Sequence, residues 1–309
     1  MINNLFIFIV ALFFVIKGAT VSSKYAARLA RSFSISAYTV GFIIVAIISI
    51  LPEAFISINA ALKGIPAFGL GTLFGSNVAD LTLVFAITIF VANRGLKIES
   101  KILKNKKIYP FLLLLPLVLG LDGNYSRLEG MALIIVGLIF YYISLRRGSN
   151  DEVSVKKDKS KLKNLFLLLF GLTLLLAGSH FTVSSAVSLA SYLGVNPVLI
   201  GMLIVGLGTT IPELSFSLQS AKKKDDSLAV GDVLGTVLAD ATVLVGILAL
   251  INPFSFPQRI IYITGAFMVL ASFVLFNFMK TGRKISRKEA TLLFFFWLIF
   301  VLVEFIVNK

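Results

Sequence analysis

The stretch GFIIVAIISILPEAFISINAALKGIPAFGLGTLFGSNVADLTLVFAI, Gly41 to Ile87, lies over GMLIVGLGTTIPELSFSLQSAKKKDDSLAVGDVLGTVLADATVLVGI, Gly201 to Ile247, without a gap at an offset of 160 residues. Pro52 falls on Pro212, Glu53 on Glu213, Gly71 and Gly75 on Gly231 and Gly235, and Asp80 on Asp240. Each copy therefore carries a Pro-Glu and, 27 positions later, an Asp, all inside strongly apolar sequence. Carboxylates in such surroundings are costly and mark function when they recur in register.

Working outward, the whole chain is apolar. Hydrophobic residues make up 58% of its 309 residues and charged residues 14%, with a mean hydropathy of +0.96. This composition excludes a soluble domain and indicates a polytopic membrane protein. The absence of cysteine removes disulfides, thiolate metal sites and cysteine nucleophiles. A net charge of +14 raises the question of nucleic acid, but the basic residues sit in short blocks between apolar runs, as membrane topology requires. The N-terminal MINNLFIFIVALFFVIKG has no basic n-region and reads as a retained first span.

Runs long enough to cross a bilayer, about 20 residues each, lie near Asn3–Gly18, Tyr38–Leu62, Gly69–Ala92, Ile108–Leu121 and Leu128–Leu145. Five more lie near Leu165–Ser184, Pro197–Ser220, Leu228–Leu250, Ile260–Phe278 and Ala290–Val307. With both termini outside, this all-α arrangement of ten spans leaves only Lys63, Arg127, Arg259 and Lys309, of 29 Lys and Arg, on the outer face. The polar stretch 146–164 is then a cytoplasmic linker between five-span units 1–145 and 165–309, with the matched segments 41–87 and 201–247 inside them. Five is odd, so the units enter the membrane from opposite sides, an inverted repeat of the kind secondary transporters use.

Pro52 and Pro212 are expected to break their helices and free carbonyls around Ile48 and Gly208. Ser49 and Thr209 stand four residues before the glutamates, and Ser76 and Thr236 four before the aspartates, which puts each hydroxyl on the helical face of its acid. Four carboxylates and four hydroxyls, with no nitrogen or sulfur donor, suit hard cations such as calcium, sodium or magnesium. The glycine pairs would let the aspartate helices approach the broken ones. Crowded carboxylates of this kind are expected to titrate as one coupled set. His180, Glu304 and Trp297 lack counterparts at the same offset and are expected to pack or anchor; Asp225 and Asp226 are expected to be solvated in a cytoplasmic turn.

The motifs LPE (Leu51–Glu53) with GSNVAD (Gly75–Asp80), and GTTIPE (Gly208–Glu213) with GDVLGTVLAD (Gly231–Asp240), resemble those of the calcium/cation antiporters, in particular the prokaryotic sodium/calcium exchangers. The resemblance covers the full length. It implies ten spans and a cation site formed by Glu53, Glu213, Asp80, Asp240, Ser49, Thr209, Thr210, Ser76 and Thr236, joined by backbone carbonyls at Ala46 and Gly206. It further implies first and sixth spans that slide over a rigid core. Three departures stand out. Ile48-Ser49-Ile50 replaces the usual Gly-Thr-Ser, Asp80 stands where Asn is common, and Thr72 and Asp232 replace the Asn of a Gly-Asn pair.

The expected protein is thus a transporter rather than an enzyme, with no resident cofactor and no nucleic-acid partner. It is expected to act as a monomer in the plasma membrane, exporting calcium in exchange for sodium by alternating access. Proton-coupled exchange of calcium or another divalent ion is the second reading, motivated by Asp80. A passive channel with acidic rings or an intramembrane aspartyl hydrolase would leave the broken inverted repeats or the glutamates unexplained.

Overall fold

The computed structural model describes residues 2–32, 50–98, 108–146 and 160–307. The helices are α1 (Ile2–Ser32), α2 (Leu51–Leu62), α3 (Pro66–Ala92), α4 (Ile108–Leu119), α5 (Arg127–Arg146), α6 (Lys161–Leu193), α7 (Pro197–Lys222), α8 (Asp226–Ala239, continued through Asp240–Leu244 and Val245–Ile251), α9 (Ile260–Lys280) and α10 (Arg287–Val307). Among the described residues, seven of these helices are long and apolar enough to cross a membrane, while α2 and α4 are shorter apolar helices. The linker expected at 146–164 falls largely outside the described residues, as do Ala46, Ile48 and Ser49.

Recurrence at an offset of 160 shows in the backbone of the two matched segments and again beyond them. Leu51–Leu62 corresponds to Ile211–Lys222, each with proline in its first turn, and wide π turns occupy both Asp80–Val84 and Asp240–Leu244. At the start of α5, the Ser126 amide donates to Glu129 at 2.7 Å while the Glu129 amide donates back to Ser126 at 3.3 Å. Ser286 and Glu289 repeat the same reciprocal cap, at the same distances, before α10. Such caps satisfy amides that a helix start otherwise leaves unpaired.

Two short antiparallel ladders tie distant parts of the chain together. In one, β1 (Leu96–Lys97) pairs with β4 (Lys284–Ile285); in the other, β2 (Asn124–Tyr125) pairs with β3 (Phe254–Ser255). The ladders join the loop after α3 to that before α10, and the loop before α5 to that after α8. Each thus joins two loops expected on the same side of the bilayer.

Apolar packing divides into two clusters. The larger is centred on α3, α8 and α9, with Leu70, Phe74, Leu81, Val237, Leu248 and Leu275 fully buried. The smaller is built on the pair α1 and α6 through Phe8, Val15, Leu175, Val183 and Ala186, and reaches Ile56, Phe68 and Val205. Helices α1 and α6 run 31 and 33 residues, well past the ends expected at Gly18 and Ser184. At 1.5 Å per residue each is roughly 45–50 Å long, so each exceeds a hydrocarbon core of about 30 Å. Their outer faces display Phe6, Phe13, Leu169 and Phe170, as expected of a surface toward lipid. In the last span, Glu304 is buried and accepts a 2.5 Å hydrogen bond from Thr264, while Trp297 packs at the edge of the larger cluster.

Asp226 corrects the expectation of a solvated turn. It is 6% exposed and is gripped by Arg94, whose two terminal nitrogens lie 2.6 and 2.7 Å from its oxygens, while the Lys97 amide donates at 2.8 Å. The same guanidinium donates to the Ala221 carbonyl at 2.6 Å, locking the loop after α3 onto the α7–α8 turn. Three lysines before Asp226 suggested a solvated run, and only the fold brings Arg94 across from 132 residues away.

Burial alone would raise the Asp226 carboxyl, but its hydrogen bonds from Arg94 and Lys97 outweigh it and hold the group below the usual carboxylate range. A group depressed in the folded state stabilises above its unfolded pKa and loses that contribution as pH falls through its folded value. Arg94→Gln is therefore expected to lower the thermal unfolding midpoint in detergent at pH 7, and the gap from wild type should close as pH drops below the ordinary carboxylate range. A gap that persists undiminished in acid would show that the pair is not its source.

Candidate cation site

Helix α3 crosses the first half of α7 at unusually short range. A Cβ on Gly75 would stand 2.2 Å from the Met202 carbonyl oxygen, and one on Gly71 2.7 Å from a Val198 methyl. From the other side, a Cβ on Gly206 would meet the Ser76 amide nitrogen at 2.9 Å, and one on Gly201 the Phe68 carbonyl at 3.0 Å. Glycines thus face backbone on both helices. The approach expected from Gly71 and Gly75 is realised, whereas the matching partners of Gly231 and Gly235, at positions 38–46, lie outside the described residues.

Near this crossing α7 breaks and restarts, and α2 begins in the same way. Helix α7 breaks at Thr210, with φ −70° and ψ −11°, and the new helix begins with Ile211 and Pro212. Residue 50 has nearly the same backbone, φ −76° and ψ −5°, ahead of Leu51 and Pro52. The prolines sit in a first turn, where no intrahelical N–H is needed. Glu53 and Glu213 therefore fall at the positive N-terminal end of a helix, which favours carboxylates. Asp80 and Asp240 each begin a π turn, a local widening often found at functional positions.

All four acids are fully buried, as are Ser76, Thr209 and Thr236; Thr210 is 2% exposed. Among the described residues, none of the eight oxygens of Glu53, Asp80, Glu213 and Asp240 has a hydrogen-bond partner within 3.5 Å in good geometry. They form one electrostatic group, in which Glu53 and Asp80 act on both Glu213 and Asp240. Thr209 stands beside Glu53, and Thr210 beside Asp80. Spacing had put Thr209 on the face of Glu213, its neighbour in sequence. The break at Thr210 turns the chain, so the α7 threonines serve acids of α2 and α3 instead.

Both threonines donate to the Gly206 carbonyl, at 3.0 and 2.9 Å, and the Thr210 amide donates to it at 3.2 Å. That carbonyl, expected as a ligand, is here the acceptor that orients two hydroxyls. Ser76 donates to the Leu73 carbonyl at 3.0 Å, leaving its lone pairs for a cation, and the Thr236 hydroxyl has no partner. Among the described residues no three acids close into a ready-made cage. Any cation held here would draw the remaining oxygens from hydroxyls, carbonyls or water, as calcium with 6–8 ligands requires.

A fifth carboxylate, Asp232, belongs to the same group. It is 5% exposed and acts electrostatically on Glu53, Asp80 and Glu213. Its spacing offered a signal, since Asp232, Thr236 and Asp240 follow at intervals of four along one face of α8. Asp232 has no acidic counterpart, since it falls on neutral Thr72 in the other copy.

The pattern that defines the sodium/calcium exchanger protein family matches residues 3–146 and 163–306. The chain belongs to that family. Among curated relatives, the putative antiporter CaxA of Alkalimonas amylolytica is 30% identical over 242 residues, 74% of each chain, and the sodium/calcium exchanger MaX1 of Methanosarcina acetivorans is 24% identical over 98% of each. An uncharacterised membrane protein of Methanocaldococcus jannaschii, MJ0091, is 29% identical over 86% of each chain. The fold resembles that of the sodium-calcium exchanger NCX_Mj in crystals soaked with sodium and strontium, with a TM-score of 0.70 and 26% identity over 96% of this chain and 97% of that one. Family membership identifies a multi-pass membrane protein of the exchanger and antiporter class.

Two substitutions probe this architecture. Gly75→Ala places a methyl group against backbone that cannot turn aside, and is expected to destabilise the protein by about 3 kcal/mol, read as a lowered unfolding midpoint in detergent. Thr209→Val removes one hydroxyl without changing shape and is expected to weaken calcium binding about tenfold, equivalent to about 1.4 kcal/mol, in calorimetric titration. Thr173→Val, on the exposed face of α6, should leave that affinity unchanged.

Proposed function

We propose that this protein is a secondary antiporter that exchanges calcium against sodium across the plasma membrane by alternating access. The observation that carries the reading is that four carboxylates, two from each half of the chain, are fully buried, act on one another electrostatically and, among the described residues, have no hydrogen-bond partner. Unpaired buried carboxylates are strongly unfavourable unless something positive joins them, and an all-oxygen donor set points to a hard cation. Relatives named as a sodium/calcium exchanger and an antiporter support the same reading.

In this mechanism the ligands are Glu53, Asp80, Glu213 and Asp240 with Ser49, Ser76, Thr209, Thr210 and Thr236, while the carbonyls at Ala46 and Gly206 complete or orient the set. One calcium, or several sodium ions, would neutralise the same carboxylates, so binding of one species excludes the other. The ten helices form two inverted five-helix repeats, 1–145 and 165–309, joined by a cytoplasmic linker with both termini outside, and the monomer is the working unit. The separate cluster of α1 and α6 supports a sliding pair against a core of α3, α8 and α9. Closure of only the filled site would make transport an exchange rather than a leak.

Proton-coupled exchange is the second reading, favoured by Asp80 beside Thr210, where an acid replaces the Asn common in sodium/calcium exchangers. Vesicles loaded with sodium and diluted into sodium-free buffer are expected to accumulate calcium. Uptake driven equally well by a pH jump, with no sodium present, would instead select the proton-coupled reading.

Glu53→Gln and Glu213→Gln are each expected to abolish exchange, whereas Asp80→Asn should retain calcium transport with an altered pH profile. Full activity of Glu213→Gln would refute the ligand assignment.

A further inference from the structure

The second half of α7 (Ile211–Lys222) and α8 form an antiparallel hairpin around a turn at 223–225, and the two helices pack against each other. Ser217 lies five residues before the end of the first helix and Asp232 six residues after the start of the second. At 1.5 Å per residue the two stand at nearly the same height. Ser217 is one turn beyond Glu213 on its helix; Thr236 lies one turn beyond Asp232, on the way to Asp240. The pair therefore occupies the layer next to the four-acid group, on the side of the Arg94–Asp226 lock.

The other half shows what this layer looks like when its polar groups are satisfied. There, Ser57 donates to the Gly69 carbonyl at 3.4 Å and Thr72 to the Phe68 carbonyl at 3.0 Å. The Ser57 bond depends on a close approach, because a Cβ on Gly69 would stand 3.1 Å from Ser57 Cα. Position 229, which matches Gly69, is a buried alanine. A methyl group at this position leaves less room for the close approach that the Ser57 bond uses. Among the described residues the Ser217 hydroxyl, 2% exposed, has no hydrogen-bond partner, and neither has that of Thr236, fully buried one turn from Asp232. Buried hydroxyls are rarely left unpaired without a reason. Ser57 and Ser76, at the places of Ser217 and Thr236, both donate to carbonyls, whereas among the described residues their second-half counterparts find no partner.

We propose that Asp232, Ser217 and Thr236 form a second cation position, adjoining the four-acid site. A carboxylate and two neutral hydroxyls offer hard oxygen donors, which suit a monovalent cation still carrying part of its water shell. The position is one-sided. Thr72 at the matching place in α3 is neutral and already bonded, so the inverted half offers no equivalent stop.

The assignment rests on the four acids being a cation site, and the test separates the two. Crystals of the full chain soaked in a thallium(I) salt are expected to show anomalous density at the four acids and a second peak bounded by Asp232, Ser217 and Thr236. Asp232→Asn should lose the second peak and keep the first, and Ser217→Ala should weaken only the second. Thallium at the four acids alone, in wild-type crystals, would overturn the second position and leave the exchanger reading intact. No thallium or strontium at the four acids would overturn both.

Discussion

Everything at the centre of this protein depends on how closely α3 and the first half of α7 can cross. Backbone meets glycine from both directions: Gly75 opposes the Met202 carbonyl, and Gly206 opposes the Ser76 amide. A side chain at any of these contacts would push the helices apart by the width of a methyl group. That separation would carry Asp80 away from Thr210, and Glu53 away from Thr209. Glycine in membrane helices often serves such close packing; here the packing sets the distance between acids from two halves of the chain.

The acids reach this crossing by two different local devices. Proline in a first turn starts a new helix inside the bundle and presents a glutamate at its positive end. The aspartates lie instead on continuous helices, at the entry to a π turn. Broken and widened helices are tolerated in a membrane where protein or water surrounds them, and both kinds are buried here. Around this centre, α1 and α6 make an apolar layer of their own, while the Arg94–Asp226 lock and the two ladders fasten loop ends of the larger body. The α1–α6 pair packs mainly by apolar contact, with polar ties from Asn59 to Ser179 and from Lys63 to the His180 carbonyl.

The two halves are alike in their acids and unlike in what surrounds them. Ile48 and Ile50 face Gly208 and Thr210 at the matched positions, Thr72 faces Asp232, and Gly69 faces Ala229. Two of these exchanges, Ile50 to Thr210 and Thr72 to Asp232, move oxygen toward the second half. Its hydroxyls at 209 and 210 serve acids of the first half, and it alone carries the fifth carboxylate.

Much was legible in the sequence because membrane insertion imposes a one-dimensional rule: apolar length specifies a span, and flanking Lys and Arg specify its ends. Register at an offset of 160 identified the acids, since a costly residue that recurs in apolar surroundings stands out. Three things could not be read this way. Thr209 shares a nominal helical face with Glu213, but the turn at Thr210 sends it toward Glu53, and helical periodicity fails at a break. Asp226 looked like part of a solvated charge run because its partner, Arg94, is far away in the chain. Asp232 lacked an acidic counterpart, and a search by symmetry passes over whatever breaks symmetry. Composition and apolar length thus determined a multi-pass membrane protein, and the repeat register singled out four acids that the fold buries. Which hydroxyl meets which acid was decided only by the tertiary crossing, because the helices that share the site are joined through backbone contacts at glycine.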